Sequence, residues 1–294
     1  MDGVVDKAGA KRYHVKHMPG RAGVTGLVAK GGERSMSFTI PHYPAVFWLT
    51  AVIAVLLMGV AKAGFAGGVG TLATPLVSLT IGVAQAAAIL LPLLILIDIL
   101  ALFYYRRDFD RRSMKVLVPG ALLGILAGGL FFRSLMGKDD VLRVGIGILS
   151  LLFVAFQIVR GFILGRVERH RPGRFEGTVM GAITGFTSTI SHSGGPPLAI
   201  YLLPQRFSKH IYVGTSAVFF AVTNSLKLVP YSILGLLKSG NWPTIVLLAP
   251  LCYVGVRMGV YLNRRFNETW FSRLVYAMLF LSGVQLIWMG ITAG

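Results

Sequence analysis

The sequence predicts an all-α polytopic membrane protein: two inverted repeats of about four to five helices each, with a broken or re-entrant glycine-rich helix in each repeat. Three observations predict it. The chain is 54% hydrophobic and only 14% charged, and most of the charge sits in short connections and in residues 1–35. That distribution leaves no room for a soluble domain of any size. Two glycine-rich breaks, Lys62-Ala63-Gly64-Phe65-Ala66-Gly67-Gly68-Val69-Gly70 and Gly185-Phe186-Thr187-Ser188-Thr189-Ile190-Ser191-His192-Ser193-Gly194-Gly195-Pro196-Pro197, each open on Gly-Phe and end near Pro-Leu. Finally, residues 45–160 align on residues 176–290 as an internal duplication.

Taken in order, residues 1–35 form a basic extension, either disordered or a misassigned start, because Met36-Ser37-Phe38-Thr39-Ile40-Pro41 makes a reasonable beginning. The extension lacks the apolar region of a signal peptide. Residues 36–165 form the first transmembrane repeat, 166–174 a basic cytoplasmic connection, and 175–294 the second repeat. The apolar runs Ala45 to Val60, Ala84 to Tyr105, Val116 to Phe132, Val144 to Val159 and Leu274 to Ile291 approach the ~20 residues a spanning helix needs. Between Arg174 and Arg206 the chain leaves and returns in too few residues for two full spans, so this stretch must hold a short or re-entrant helix.

The strongest positive connections are Arg106 to Arg112, Arg160 to Arg174, Arg206 to Lys209, and Arg264 to Arg273. The positive-inside rule puts all four in the cytoplasm, and it explains the net charge of +18 better than a nucleic-acid surface would. With that parity the first repeat begins outside and the second inside, which makes the repeats inverted. The basic extension then lies outside, against its own charge preference. Across the two copies Gly64-Phe65 matches Gly185-Phe186, Asp98 matches Asn224, and Pro119, Gly124 and Gly128 match Pro250, Gly255 and Gly259. Glycines at this spacing read as close helix packing.

Ionisable groups in apolar sequence are expensive, which makes Lys62, Asp98, His192, Lys227 and Arg257 the candidates for function. Lys62 precedes Gly64, Phe65, Gly67, Gly68 and Gly70, where exposed backbone N–H groups and a half-helix end suit an anion. The alternative is a lysine snorkelling to an interface. His192 stands among Ser188, Ser191, Ser193, Gly194 and Gly195, a set of donors that can replace an oxyanion's hydration shell, and it can also take a proton. Asn224 and Lys227 share one face of a helix, so that Lys227 could compensate a substrate's charge while Asp98 and His192 carry a coupling proton. Equally, Asp98 could form a buried structural pair with Lys227 or Arg257. Cys252 reads as a small packing residue.

No catalytic constellation is apparent: the chain has no Walker A segment and no HExxH. Histidine and cysteine are too sparse for a metal site, so neither metal nor cofactor is expected. A channel-like or structural membrane protein remains an alternative, as does an intramembrane enzyme using Ser188 or Ser191 with His192.

The first signature, together with Gly185-Phe186-Thr187-Ser188, His192 to Pro197 and Tyr201-Leu202-Leu203-Pro204-Gln205, resembles the two signature regions of the sulfite exporter TauE/SafE family over roughly residues 36–294. Ala63 and Ala66 stand where the first signature usually has glycine. The resemblance implies a bacterial inner-membrane, multi-pass secondary transporter, an exporter of a small anion such as sulfite or an organosulfonate, with no bound cofactor. Its partners would be that anion, membrane lipid and a coupling proton. It leaves a homo-oligomer open and gives no role to nucleic acid.

Overall fold

The computed structural model describes residues 42–64, 70–105, 108–167, 172–237, 241–265 and 268–293. The chain divides into two units, Met1–Phe38 and Thr39–Gly294, and all described residues belong to the second. The basic extension and most of the first glycine-rich break lie outside them.

Among the described residues ten α-helices follow one another: α1 (Ala45–Gly64), α2 (Ala73–Ser78), α3 (Val83–Tyr105), α4 (Arg111–Ser134), α5 (Asp139–Val167), α6 (Arg174–Ser191), α7 (Gly195–Leu202), α8 (Lys209–Ile233), α9 (Trp242–Arg265) and α10 (Glu268–Thr292). No strand occurs among the described residues. Seven of the helices, α1, α3, α4, α5, α8, α9 and α10, are long and apolar enough to cross a membrane. Helices α2 and α7, of 6 and 8 residues, rise only about 9 and 12 Å against a hydrocarbon core of about 30 Å. Each short helix follows a glycine-rich break, where the sequence predicts a short or re-entrant segment. A 3-10 turn, Gly70–Leu72, leads into α2, and another, Leu203–Gln205, follows α7.

Local chemistry explains several of the ends. Asp110 caps α4 by accepting from the Ser113 N–H at 2.6 Å, and Ser208 caps α8. Pro196 and Pro197 sit in the first turn of α7, where a missing N–H is harmless. Helix α6 ends on His192 in the left-handed region, φ 56°. A non-glycine residue is held there only when its surroundings fix it.

The most extensive packing joins α4 to α6, α1 to α9 and α5 to α10, followed by α3 on α8. Glycines set the approach. Gly120, Gly124 and Gly128 of α4 meet Thr178, Ala182 and Thr189 of α6, and Gly181 and Gly185 return the contact to Leu117 and Ala121. Residue numbers rise together along this seam, so α4 and α6 run parallel. The same holds for α1 and α9, where Gly59 meets Gly255 and Val60 meets Gly259. Along α5 and α10 the order reverses, with Gly147 against Gly283 and Asp140 against Gly290.

The end of α3 touches the start of α8, through Tyr105 on His210, and the Asp110 N–H donates to Thr215 at 2.9 Å. The Ser113 hydroxyl donates to Gln205 at 3.3 Å, and Gly177 of α6 lies against Val116 and Tyr201. The Tyr105 hydroxyl reaches the Ala63 carbonyl near the end of α1. The end of α3, the starts of α4, α6 and α8, and the end of α9 therefore share one end of the bundle, where the sequence carries its basic connections.

Candidate functional site

Side chains from α1, α3 and α8 and from the end of α6 meet at a common centre. Lys62 lies two residues before the end of α1, Asp98 is near the middle of α3, His192 follows α6, and Asn224 and Lys227 sit one turn apart on α8. Asp98, Asn224 and Lys227 are all buried. The Lys62 ammonium pairs with Oδ1 of Asp98, and the Asn224 amide donates to Oδ2 of the same carboxylate at 2.6 Å. Both oxygens of Asp98 therefore hold a donor, one from each half of the chain. The sequence pointed instead to Lys227 or Arg257 as a partner for Asp98. The structure replaces both with Lys62, because α1 and α3 are neighbours.

Lys227 faces the second break. Its ammonium donates to the Ser188 carbonyl and hydroxyl, each at 3.0 Å, and lies 2.9 Å from Nδ1 of His192. Three N–H donors meet three acceptors, which offsets the burial. The other imidazole nitrogen, Nε2, lies 3.2 Å from the Ala87 carbonyl. A carbonyl only accepts, so these contacts assign the proton to Nε2 and leave Nδ1 free to accept from Lys227. One turn further along α8, the Tyr231 hydroxyl donates to the Thr189 carbonyl at 2.8 Å. The α8 face thus donates to two carbonyls in the last turn of α6, that of Thr189 and that of Ser188, which also accepts the His192 backbone N–H at 3.1 Å.

Two ammonium groups and one carboxylate meet in this centre around a neutral imidazole. Among the described residues no carboxylate lies within ion-pairing distance of Lys227. Beside it is a cavity of about 20 Å³ lined by Met58, Lys62, Leu94, Ser188, His192, Phe220 and Asn224. That is room for about one water molecule. The Phe220 ring lies 5.4 Å from the Lys62 ammonium, in range for a cation–π contact.

The structure brings together Lys62, Asp98, Ser188, His192, Asn224 and Lys227. Gly64 closes α1, Gly70 opens the 3-10 turn before α2, and Phe65, Gly67 and Gly68 lie outside the described residues. Gly194 precedes α7, and a Cβ there would come within 2.8 Å of Thr184. Gly195 is the first residue of α7.

The hydroxyls around His192 divide differently from the expectation. Thr187, Thr189 and Ser191 donate to carbonyls one turn back in α6, and Ser193 donates to the Ser191 carbonyl. In a helix, such a carbonyl is the nearest acceptor. Ser188 is the hydroxyl that lines the cavity. Arg257 is exposed on α9, within hydrogen-bonding reach of Tyr104, and Cys252 is buried with its thiol toward the Leu93 carbonyl.

Sequence reasoning missed the apolar wall of the cavity. Met58, Leu94 and Phe220 each stand four residues before a polar residue of the centre, namely Lys62, Asp98 and Asn224. Side chains four apart share a helix face, so the signal was present.

A bundle of apolar helices with a charged, buried centre and two short helices after glycine-rich breaks is a multi-pass membrane protein of the transporter class. Residues 51–286 match the family described as Sulfite exporter TauE/SafE, and the chain belongs to that family. No curated protein and no solved structure matches the chain.

Proposed function

We propose that the chain is a secondary transporter in the bacterial inner membrane that exports a small anion, such as sulfite or an organosulfonate, by alternating access. The observation that carries this reading is the gathering of two lysines and a single carboxylate in a buried centre, beside a cavity lined by residues of α1, α3, α6 and α8. Charge of that kind is costly in hydrocarbon, and it is lowered in energy by an anion that arrives and leaves.

Inverted repeats are supported by the way the halves exchange partners. Helices α1 to α5 correspond to α6 to α10, so α1 on α9 answers α6 on α4. Because α4 and α6 run parallel while α5 and α10 run antiparallel, each helix of the second half opposes its counterpart in the first. The basic connections at one end of the bundle favour placing that end in the cytoplasm.

The substrate site comprises the Lys62, Ser188, His192, Asn224 and Lys227 side chains, with backbone N–H groups of Gly64, Phe65, Gly67, Gly68, Gly70, Ser193, Gly194 and Gly195. Lys62 and Asn224 hold one side of the anion, the Ser188 hydroxyl the other with the His192 ring beside it, and Lys227 supplies charge from behind. Asp98 and His192 are the coupling groups, since a proton on either changes the charge that the anion meets. The membrane potential also favours anion exit, at ~2.3 kcal/mol per charge per 100 mV.

In proteoliposomes loaded with sulfite or an organosulfonate, Lys62→Ala and His192→Ala are expected to abolish flux while the purified proteins keep their helical content at the assay temperature. Wild-type flux in both variants would overturn the site assignment.

A further inference from the structure

We infer that Asp98 is a tethered stand-in for the substrate anion: its carboxylate occupies the two donors that an incoming oxyanion needs, and it must leave them for the anion to bind. The inference rests on the transporter reading above and adds to it the event that opens the site.

The cavity is the first reason. With Asp98 in place it has about 20 Å³, enough for a water molecule and too small for a sulfur atom carrying three oxygens. The centre as it stands offers water-sized space beside the Lys62–Asp98 pair.

The second reason is the identity of the occupied donors. Lys62 and Asn224 both line the cavity, yet each already donates to one oxygen of Asp98. A carboxylate with one oxygen on an ammonium and the other on an amide N–H has the hydrogen bonding of a bound oxyanion. An incoming anion that takes over these donors needs no newly buried ones, and the exchange leaves no buried donor unmatched.

The third reason is mobility of the tether. Pro92 lies inside α3, six residues before Asp98, and leaves a backbone carbonyl of the preceding turn without its helical N–H. Helices bend at such points. A modest change of bend there swings the half of α3 that carries Asp98, while the His192 contact to Ala87, on the other side of Pro92, stays in place.

Binding of methanesulfonate, a fixed monoanion, to the full-length detergent-purified protein tests this by calorimetry. If the closed pair holds Lys62 about nine-tenths of the time, Asp98→Asn lowers the dissociation constant about tenfold. Lys62→Gln raises it, and Asp98→Asn tightens binding less in the Lys62→Gln background than in wild type, since only the Asn224 donor is then left to release. An ion pair that never exchanges predicts the same charge-driven tightening in both backgrounds, so equal tightening, or an Asp98→Asn protein that folds and binds no tighter than wild type, overturns the inference and leaves the transporter reading standing.

Should Asp98→Asn not fold, infrared difference spectra of wild type with isotope-labelled aspartate decide. The buried carboxylate band is expected to shift on adding methanesulfonate, and an unchanged band overturns the inference. Wild-type protein that binds neither methanesulfonate nor sulfite overturns the transporter reading itself, and the inference with it.

Discussion

Gly124 is the tightest point of the α4–α6 seam. A Cβ placed there would stand 1.9 Å from the Ala182 carbonyl oxygen, 2.7 Å from its carbon and 2.8 Å from the Phe186 nitrogen. All three are backbone atoms, so no side chain can rotate away. Ordinary contact begins near 3.4 Å, and Gly124→Ala must force the helices apart by about 1.5 Å, when a gap of about 0.5–1 Å already forfeits a quarter to a half of each dispersion contact. Relief on this scale reaches Gly120, Gly181 and Gly185, which pack on the same seam. Overpacking costs typically 1–3 kcal/mol and more where the backbone cannot yield, so the loss is expected at about 3 kcal/mol or above. It far exceeds the roughly 0.5–1 kcal/mol that alanine gains over glycine inside a helix. Gly145→Ala is the control, because a Cβ at Gly145 meets nothing within 4 Å. Thermal unfolding in detergent, followed by tryptophan fluorescence, should put Gly124→Ala well below wild type and Gly145→Ala at or above it. Equal midpoints for the two variants would refute the packing argument.

Tyr231→Phe removes the hydroxyl that holds the Thr189 carbonyl, and about 0.6–1.7 kcal/mol of stability should go with it. Unfolding midpoints in the same detergent check this, and no change would mean that another donor reaches the carbonyl. Arg257→Gln should leave anion flux within about twofold of wild type, because the side chain is exposed on α9 and Asp98 is held by Lys62 and Asn224 instead. A collapse of flux in proteoliposomes would restore Arg257 to the site.

The breaks, the matched prolines and glycines, and the pairing of Asn224 with Lys227 on one helix face were legible because they depend on local spacing. Arg257 could have been read the same way. Gly255 and Gly259 take the α9 face toward α1, so a residue midway between them points outward. The partner of Asp98 was not legible, since it depends on which helices adjoin in three dimensions. Three ammonium or guanidinium groups in apolar sequence were formally equivalent until α1 was set beside α3. The hydroxyls near His192 misled for another reason: composition counts them as donors to a ligand, while a helix offers each a carbonyl one turn back.

Charge balance permits a sharper test than removal of a single residue. Asp98 and Asn224 hold matching positions in the two halves, yet one is charged and the other is not. This difference, with Lys62 in the first half and Lys227 in the second, leaves two lysines to one carboxylate. If the charge of the second lysine holds the anion, Lys227→Gln brings the centre to neutrality while keeping an N–H donor for the Ser188 carbonyl. Unit charges about 4 Å apart attract by about 4 kcal/mol at the effective dielectric typical of proteins, so affinity for methanesulfonate should fall by at least about a hundredfold. Adding Asp98→Asn to Lys227→Gln returns the centre to one unbalanced positive charge, now on Lys62, and should recover much of the binding. Calorimetry on the single and double variants measures the difference. A double variant that binds no better than Lys227→Gln alone would mean that the contacts of Lys227 with Ser188 and His192, rather than the charge of the centre, govern anion binding.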